Sequence, residues 1–101
     1  MSEQEVHAYW VMRCPMITTA HLTQDVAQAL ADTLPGEDFY GAPCMIGSHG
    51  GMICTSASLV LSSDAPESLR RVVAWARREG FDWVRVDADG DQIGELMIYE
   101  W

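Results

Sequence analysis

Asp64-Ala-Pro-Glu-Ser-Leu-Arg-Arg-Val-Val-Ala-Trp-Ala-Arg-Arg-Glu-Gly-Phe-Asp-Trp-Val-Arg-Val-Asp87 reads as a helix running into a strand, and this stretch decides the fold. Asp64 and Glu67 have capping-box spacing, and Pro66 is tolerated in a first turn because the N–H it lacks would have no partner there. Leu69, Val72, Val73 and Ala76 recur at helical spacing and form the apolar stripe, with Trp75 at its border. Arg70, Arg71, Arg77 and Arg78 lie opposite, and Glu67 precedes Arg71 by one turn, the order that favours an ion pair. Gly80 closes the helix. From Phe81 to Val86 the period changes to two, with Phe81, Trp83 and Arg85 on one face and Asp82, Val84 and Val86 on the other. An acidic turn, Asp87-Ala-Asp-Gly-Asp91, leads to a final predicted strand, Leu96 to Trp101.

Working back towards the N-terminus, Cys44-Met-Ile and Met52-Ile-Cys-Thr flank Gly47-Ser-His-Gly-Gly51, which predicts a hairpin with a glycine-rich tip. Ser58 to Ser62 extends its second strand or forms a short one of its own, and Glu37 to Pro43 is an irregular connection. Thr23 is a good N-cap for a helix running to about Leu34. Val26, Ala27, Leu30 and Leu34 lie on one side of it, and Pro35-Gly36 stops it. Residues 5 to 13 are rich in β-formers and almost continuously apolar after His7, as in a central strand, which Cys14-Pro15 ends. The predicted class is therefore α+β, a two-layer sandwich in β-α-β-β-α-β-β order. Its first six elements follow the ferredoxin-like split β-α-β plan, and the seventh is an extra C-terminal edge strand.

The whole chain, 101 residues, is the size of one domain, and its 49% hydrophobic content is that of a globular protein. It contains no apolar run near the ~20 residues needed to span a bilayer. Its acidic start, Met-Ser-Glu-Gln-Glu, is unlike a secretory signal, so a cytoplasmic location is expected. The formal charge is −9, and every cation is an arginine. This balance repels phosphates over most of the surface and disfavours nucleic acid as a partner. Cys14, Cys44 and Cys54 form an odd set without a Cys-x-x-Cys pair, which points to reduced thiols.

Few residues suggest chemistry. Asp87, Asp89 and Asp91 resemble the opening of a calcium loop, but Gln92 stands where the glycine should be and Ile98 where the bidentate glutamate should be. Cys44 and Cys54 face each other only if the hairpin loop is Ser48-His49-Gly50, and two thiols fall short of a zinc site. Cys14 with His21 would need a third orienting group to act as a nucleophile, and none is identifiable. The Gly47–Gly51 stretch lacks the lysine of a phosphate loop. The arginine stripe would suit phosphate or acidic partners, although such stripes more often face water. Neither a catalytic residue nor a metal or cofactor is expected.

Met16-Ile-Thr-Thr-Ala-His-Leu-Thr23, Ala74 to Asp87 and the Tyr99-Glu-Trp101 ending together resemble a small bacterial domain-of-unknown-function family, number 5983, found on plasmids and integrated elements. The matching residues are Thr18, Thr19, Ala20 and His21, then Gly80, Asp82 and Trp83, then the last three. The resemblance implies a mobile-element setting and supplies no activity. Two functional expectations follow, with a third that is structural. In the first, an accessory protein binds a basic protein partner through Asp87, Asp89, Asp91 and Glu95; in its sharper form it inhibits host defence by presenting carboxylates where the target expects phosphates. In the second, a small ligand-binding or enzymatic site forms around Thr18, Thr19, His21 and Cys14, polar residues placed between a strand end and a helix start. The third is a sheet-mediated homodimer.

Overall fold

In the computed structural model, which describes residues 13–101, the helix opened by the acid-proline run spans Glu67–Arg78 (α2). Leu69, Val72, Val73, Trp75 and Ala76 are buried, so the stripe includes Trp75 fully. Leu69, Val72 and Val73 each contribute about 1.5–3 kcal/mol by leaving water. The C-terminal end is a Schellman closure. Gly80 adopts φ +80°, its N–H bonds to the Arg77 carbonyl, and the Phe81 N–H reaches back to Ala76. The N-terminal end differs from the capping-box expectation. The cap position is Pro66, no side chain caps it, and Asp64 lies exposed outside the helix. The reason is Arg70, whose guanidinium binds the carbonyls of Ser62, Ser63 and Ala65 and holds the incoming chain in a turn.

The remaining elements are β1 (Met16–Thr18), a single 3-10 turn (Thr19–His21), α1 (Gln24–Ala31), β2 (Cys44–Gly47), β3 (Gly50–Cys54) and β4 (Trp83–Asp87). Thr23 is the N-cap of α1, but the helix stops about a turn short of Leu34, which is left exposed. Residues 56 to 62 form a loop and no strand. The strand expected over residues 5 to 13 falls, apart from an irregular Arg13, outside the described residues.

The described elements follow β-α-β-β-α-β order, in a mixed architecture of two helices and one four-stranded sheet. The sheet order is β1-β4-β3-β2, with β1 parallel to β4 and the other neighbours antiparallel. A ferredoxin-like sheet would keep β3 and β4 parallel with β1 between them; here they are adjacent and antiparallel. The cause lies in the connection. Residues 55 to 66 climb back along α2, clipped to it first by Arg77, which binds the carbonyls of Thr55, Ser56 and Leu59, and then by Arg70. The two arginines stand about 10 Å apart along the helix. Because the loop reverses the chain, α2 runs in the direction of β3 and delivers β4 antiparallel beside it. Arg77→Ala is expected to cost about 2 kcal/mol through loss of these charge-assisted bonds, with faster amide exchange confined at first to residues 55–63.

The expected last strand, Leu96–Trp101, is also absent: residues 92–101 carry no strand. The place beside β4 is filled by β1, and the tail is held over the 3-10 turn by side-chain and backbone bonds. Ile17, Ile53, Val84 and Val86 point to the face shared with the helices and are fully buried. Across the opposite face the register aligns Met16, Arg85, Met52 and Met45, which are half-buried or exposed. No helix among the described residues is long and apolar enough to cross a membrane.

Candidate functional site

The segment from Thr18 to His21 is built for holding the chain together. Thr18 caps the 3-10 turn, its hydroxyl accepting the Ala20 N–H at 3.2 Å. His21 is only 2% exposed. Its Nε2 accepts the Ile93 N–H at 2.9 Å, which leaves the proton on Nδ1, donated to the Met97 carbonyl at 2.8 Å. Beside it, Tyr99 donates its N–H to the Ala20 carbonyl and the Trp101 indole N–H reaches the Leu22 carbonyl. Both ring nitrogens are thus committed to the backbone. Cys14 precedes β1 and His21 ends the 3-10 turn that follows it, so the two lie beyond opposite ends of the strand. Burial pushes the Cys14 thiol up, against a smaller opposing effect of Arg85, the reverse of an activated nucleophile. A cavity of about 90 Å³ touches Thr19, but it includes none of Thr18, His21 and Cys14. Among the described residues, that cavity does not join the four.

The acidic turn divides in two. Asp87 is buried, accepts the Asp89 N–H at 2.9 Å and pairs with Arg85 at 3.0 Å. The Asp89 N–H, helped by Arg85 and opposed by burial, holds its carboxyl below the usual carboxylate range. A depressed native pKa stabilises the fold above the unfolded value, about 3.9, and that stability is lost as pH falls through the native one. Asp87→Asn is therefore expected to melt lower than the parent at neutral pH, with the gap closing below about pH 4 in thermal scans. Asp91 uses its backbone to bridge the outer side of β1, bonding Thr18 and Met16, while its side chain faces water, as does that of Asp89. Glu95 pairs with Arg78 at 3.2 Å. Among the described residues no group of three metal-binding side chains converges.

The arginine stripe is also spoken for. Arg70 and Arg77 hold loop carbonyls, Arg71 pairs with Glu67 and Arg78 with Glu95. No signal in the sequence separates the two carbonyl-binding arginines from the two paired with carboxylates, because backbone carbonyls carry no residue signature. Cys44 is opposite Ile53 and Cys54 opposite Trp83, so the hairpin loop is Ser48-His49 and the two thiols do not face each other. All three cysteines are free.

Sequence reasoning missed the outer edge of β2. Leu34, Met45 and Ile46 are 64%, 54% and 38% exposed and lie together there. A groove of about 340 Å³ runs between this strand and the end of α1, lined by Leu34, Pro35, Cys44 and Ile46. A second, of about 330 Å³, opens on the other side over Met45, His49, Met52 and Arg85. Glu37 and Asp38 sit close enough to add to the burial that raises the Cys44 thiol. The visible clue was Leu34, an apolar residue at the frayed end of the α1 stripe.

Residues 14–101 match the model described as "Family of unknown function (DUF5983) C-terminal domain". No curated protein and no solved structure matches the chain.

Proposed function

The chain belongs to the DUF5983 family, and on that premise we propose that it is a non-enzymatic binding module directed at a basic protein partner. The observation that carries this reading is the commitment of every arginine. Arg13 lies over the Phe81 ring at 4.7 Å, Arg70 and Arg77 bind carbonyls, and Arg71, Arg78 and Arg85 bind carboxylates. Each cation has a partner within the chain, three of them in ion pairs with half-exposed heads, and the chain's net −9 includes exposed carboxylates that make no ion pair, Asp89 and Asp91 among them. Such a surface speeds encounter with a basic partner and repels an acidic one. A mobile-element accessory protein that offers carboxylates to a host phosphate-binding protein would be one form of this module.

The test is capture from a bacterial lysate at low and at raised salt, with the parent and with an Asp89→Asn/Asp91→Asn double variant. A stoichiometric partner that is lost in salt and weakened by the double variant supports the reading, because exposed charge contacts are screened. Capture insensitive to both overturns it.

A further inference from the structure

We infer that the outer edge of β2 is a docking site for an extended, cationic segment of a partner protein, which joins the sheet as an added strand. This rests on the binding-module reading and names where and how such a partner sits. In the β2–β3 ladder the Cys54 N–H bonds to the Pro43 carbonyl, and Cys44, Met45 and Ile46 pair with Ile53, Met52 and Gly51. Antiparallel ladders alternate bonded and non-bonded pairs, so the N–H and C=O groups of Cys44 and Ile46 point outward. Among the described residues none of these four groups has a partner. The opposite edge of the sheet is different: there the Asp91 backbone bridges β1.

An unpaired edge is usually blunted by lysine, proline within the strand, or a bulge. Cys44-Met-Ile-Gly47 has no charge and no proline, and its side chains are apolar. An incoming strand would send alternate side chains to the two sides of the sheet, and both sides are prepared. One set meets the groove of Leu34, Cys44 and Ile46; the other meets Met45, Met52 and Arg85. Main-chain bonds would supply affinity and the grooves selectivity. The charge fixes the occupant. Glu37 and Asp38 stand at the Cys44 end, so a lysine or arginine is favoured there. A second copy is disfavoured, since each chain carries −9 and has no lysine to offer.

Two acetylated decapeptides serve as probes on the full chain, one alternating valine with lysine and one alternating valine with glutamate, each followed by NMR amide exchange. The lysine peptide is expected to protect the Cys44 and Ile46 amides at least about tenfold, and the glutamate peptide is not. Ile46→Pro removes an outward N–H without touching the β3 ladder, and Ile46→Lys places a charge on the edge. Each is expected to weaken the lysine peptide about tenfold while the melting temperature stays near that of the parent. Should one variant unfold, the other carries the test.

Equal binding of both peptides overturns the cationic assignment. So does an edge already protected in the free chain, by residues 1–12 in a monomer or by a second copy in a sedimenting dimer. If the peptides leave Cys44 and Ile46 unchanged while a salt-sensitive partner is still captured, the edge site fails and the binding-module reading stands. If neither occurs, both fail.

Discussion

Replacing His21 with alanine is expected to lower the unfolding free energy by about 3 kcal/mol and to free residues 93–101 from the helical layer. The imidazole is nearly inaccessible and makes one bond through each nitrogen, to the Ile93 N–H and the Met97 carbonyl. Alanine leaves a donor and an acceptor without partners, each costing about 1–3 kcal/mol where water cannot replace the imidazole, and opens a cavity beside Leu22. Urea unfolding followed by far-UV dichroism gives the stability. Trp101 provides a local reporter, because its indole bond to the Leu22 carbonyl depends on the tail being in place. A loss under about 1 kcal/mol, with unchanged tryptophan emission, would mean that the Tyr99 and Trp101 bonds hold the tail alone. His21→Gln, which can keep one of the two bonds, should fall between parent and alanine.

This role explains what the sequence did and did not disclose. Periodicity located both helices, the hairpin and β4, because each of these is specified by its own apolar pattern and by nearby stop signals such as Gly80 and Pro35. The tail misled for the same reason. Leu96 to Trp101 has strand-forming composition, but its partners are a histidine and carbonyls far away in the chain, and no local pattern encodes them. Sheet order was hidden likewise. It depends on the loop clipped by Arg70 and Arg77, and an arginine that binds carbonyls looks in sequence like one facing water. Among the candidate site residues, the polar run Thr18 to His21 was conspicuous because it is structurally demanding. Asp87 was conspicuous for a similar reason, while the edge of β2 carries no polar signature at all.

Gly50→Ala is expected to be severely damaging, with a loss of at least about 4 kcal/mol or failure to fold. Gly50 sits at φ +147°, and a β-carbon there would fall on the Val86 carbonyl, with the Asp87 α-carbon also within 3.1 Å. Both obstacles are backbone of β4, a central strand that cannot give way by a rotamer change. Relief requires β3 to separate from β4 at the pairs Gly50–Asp87 and Gly51–Val86. Gly94→Ala is the matched control, since a β-carbon there meets nothing within 4 Å and φ is not positive, so a change within about 0.5 kcal/mol is expected. Thermal melting of the two variants side by side checks the difference; equal melting temperatures would mean that the hairpin tip can detach at little cost. The comparison also bears on binding. The missing side chain at Gly50 lets β3 pair with β4 to its first residue, and β2 is carried on the same hairpin. Should Gly50→Ala fold after all, its hairpin must lift from β4, and protection of the Cys44 and Ile46 amides by the lysine peptide should disappear with it.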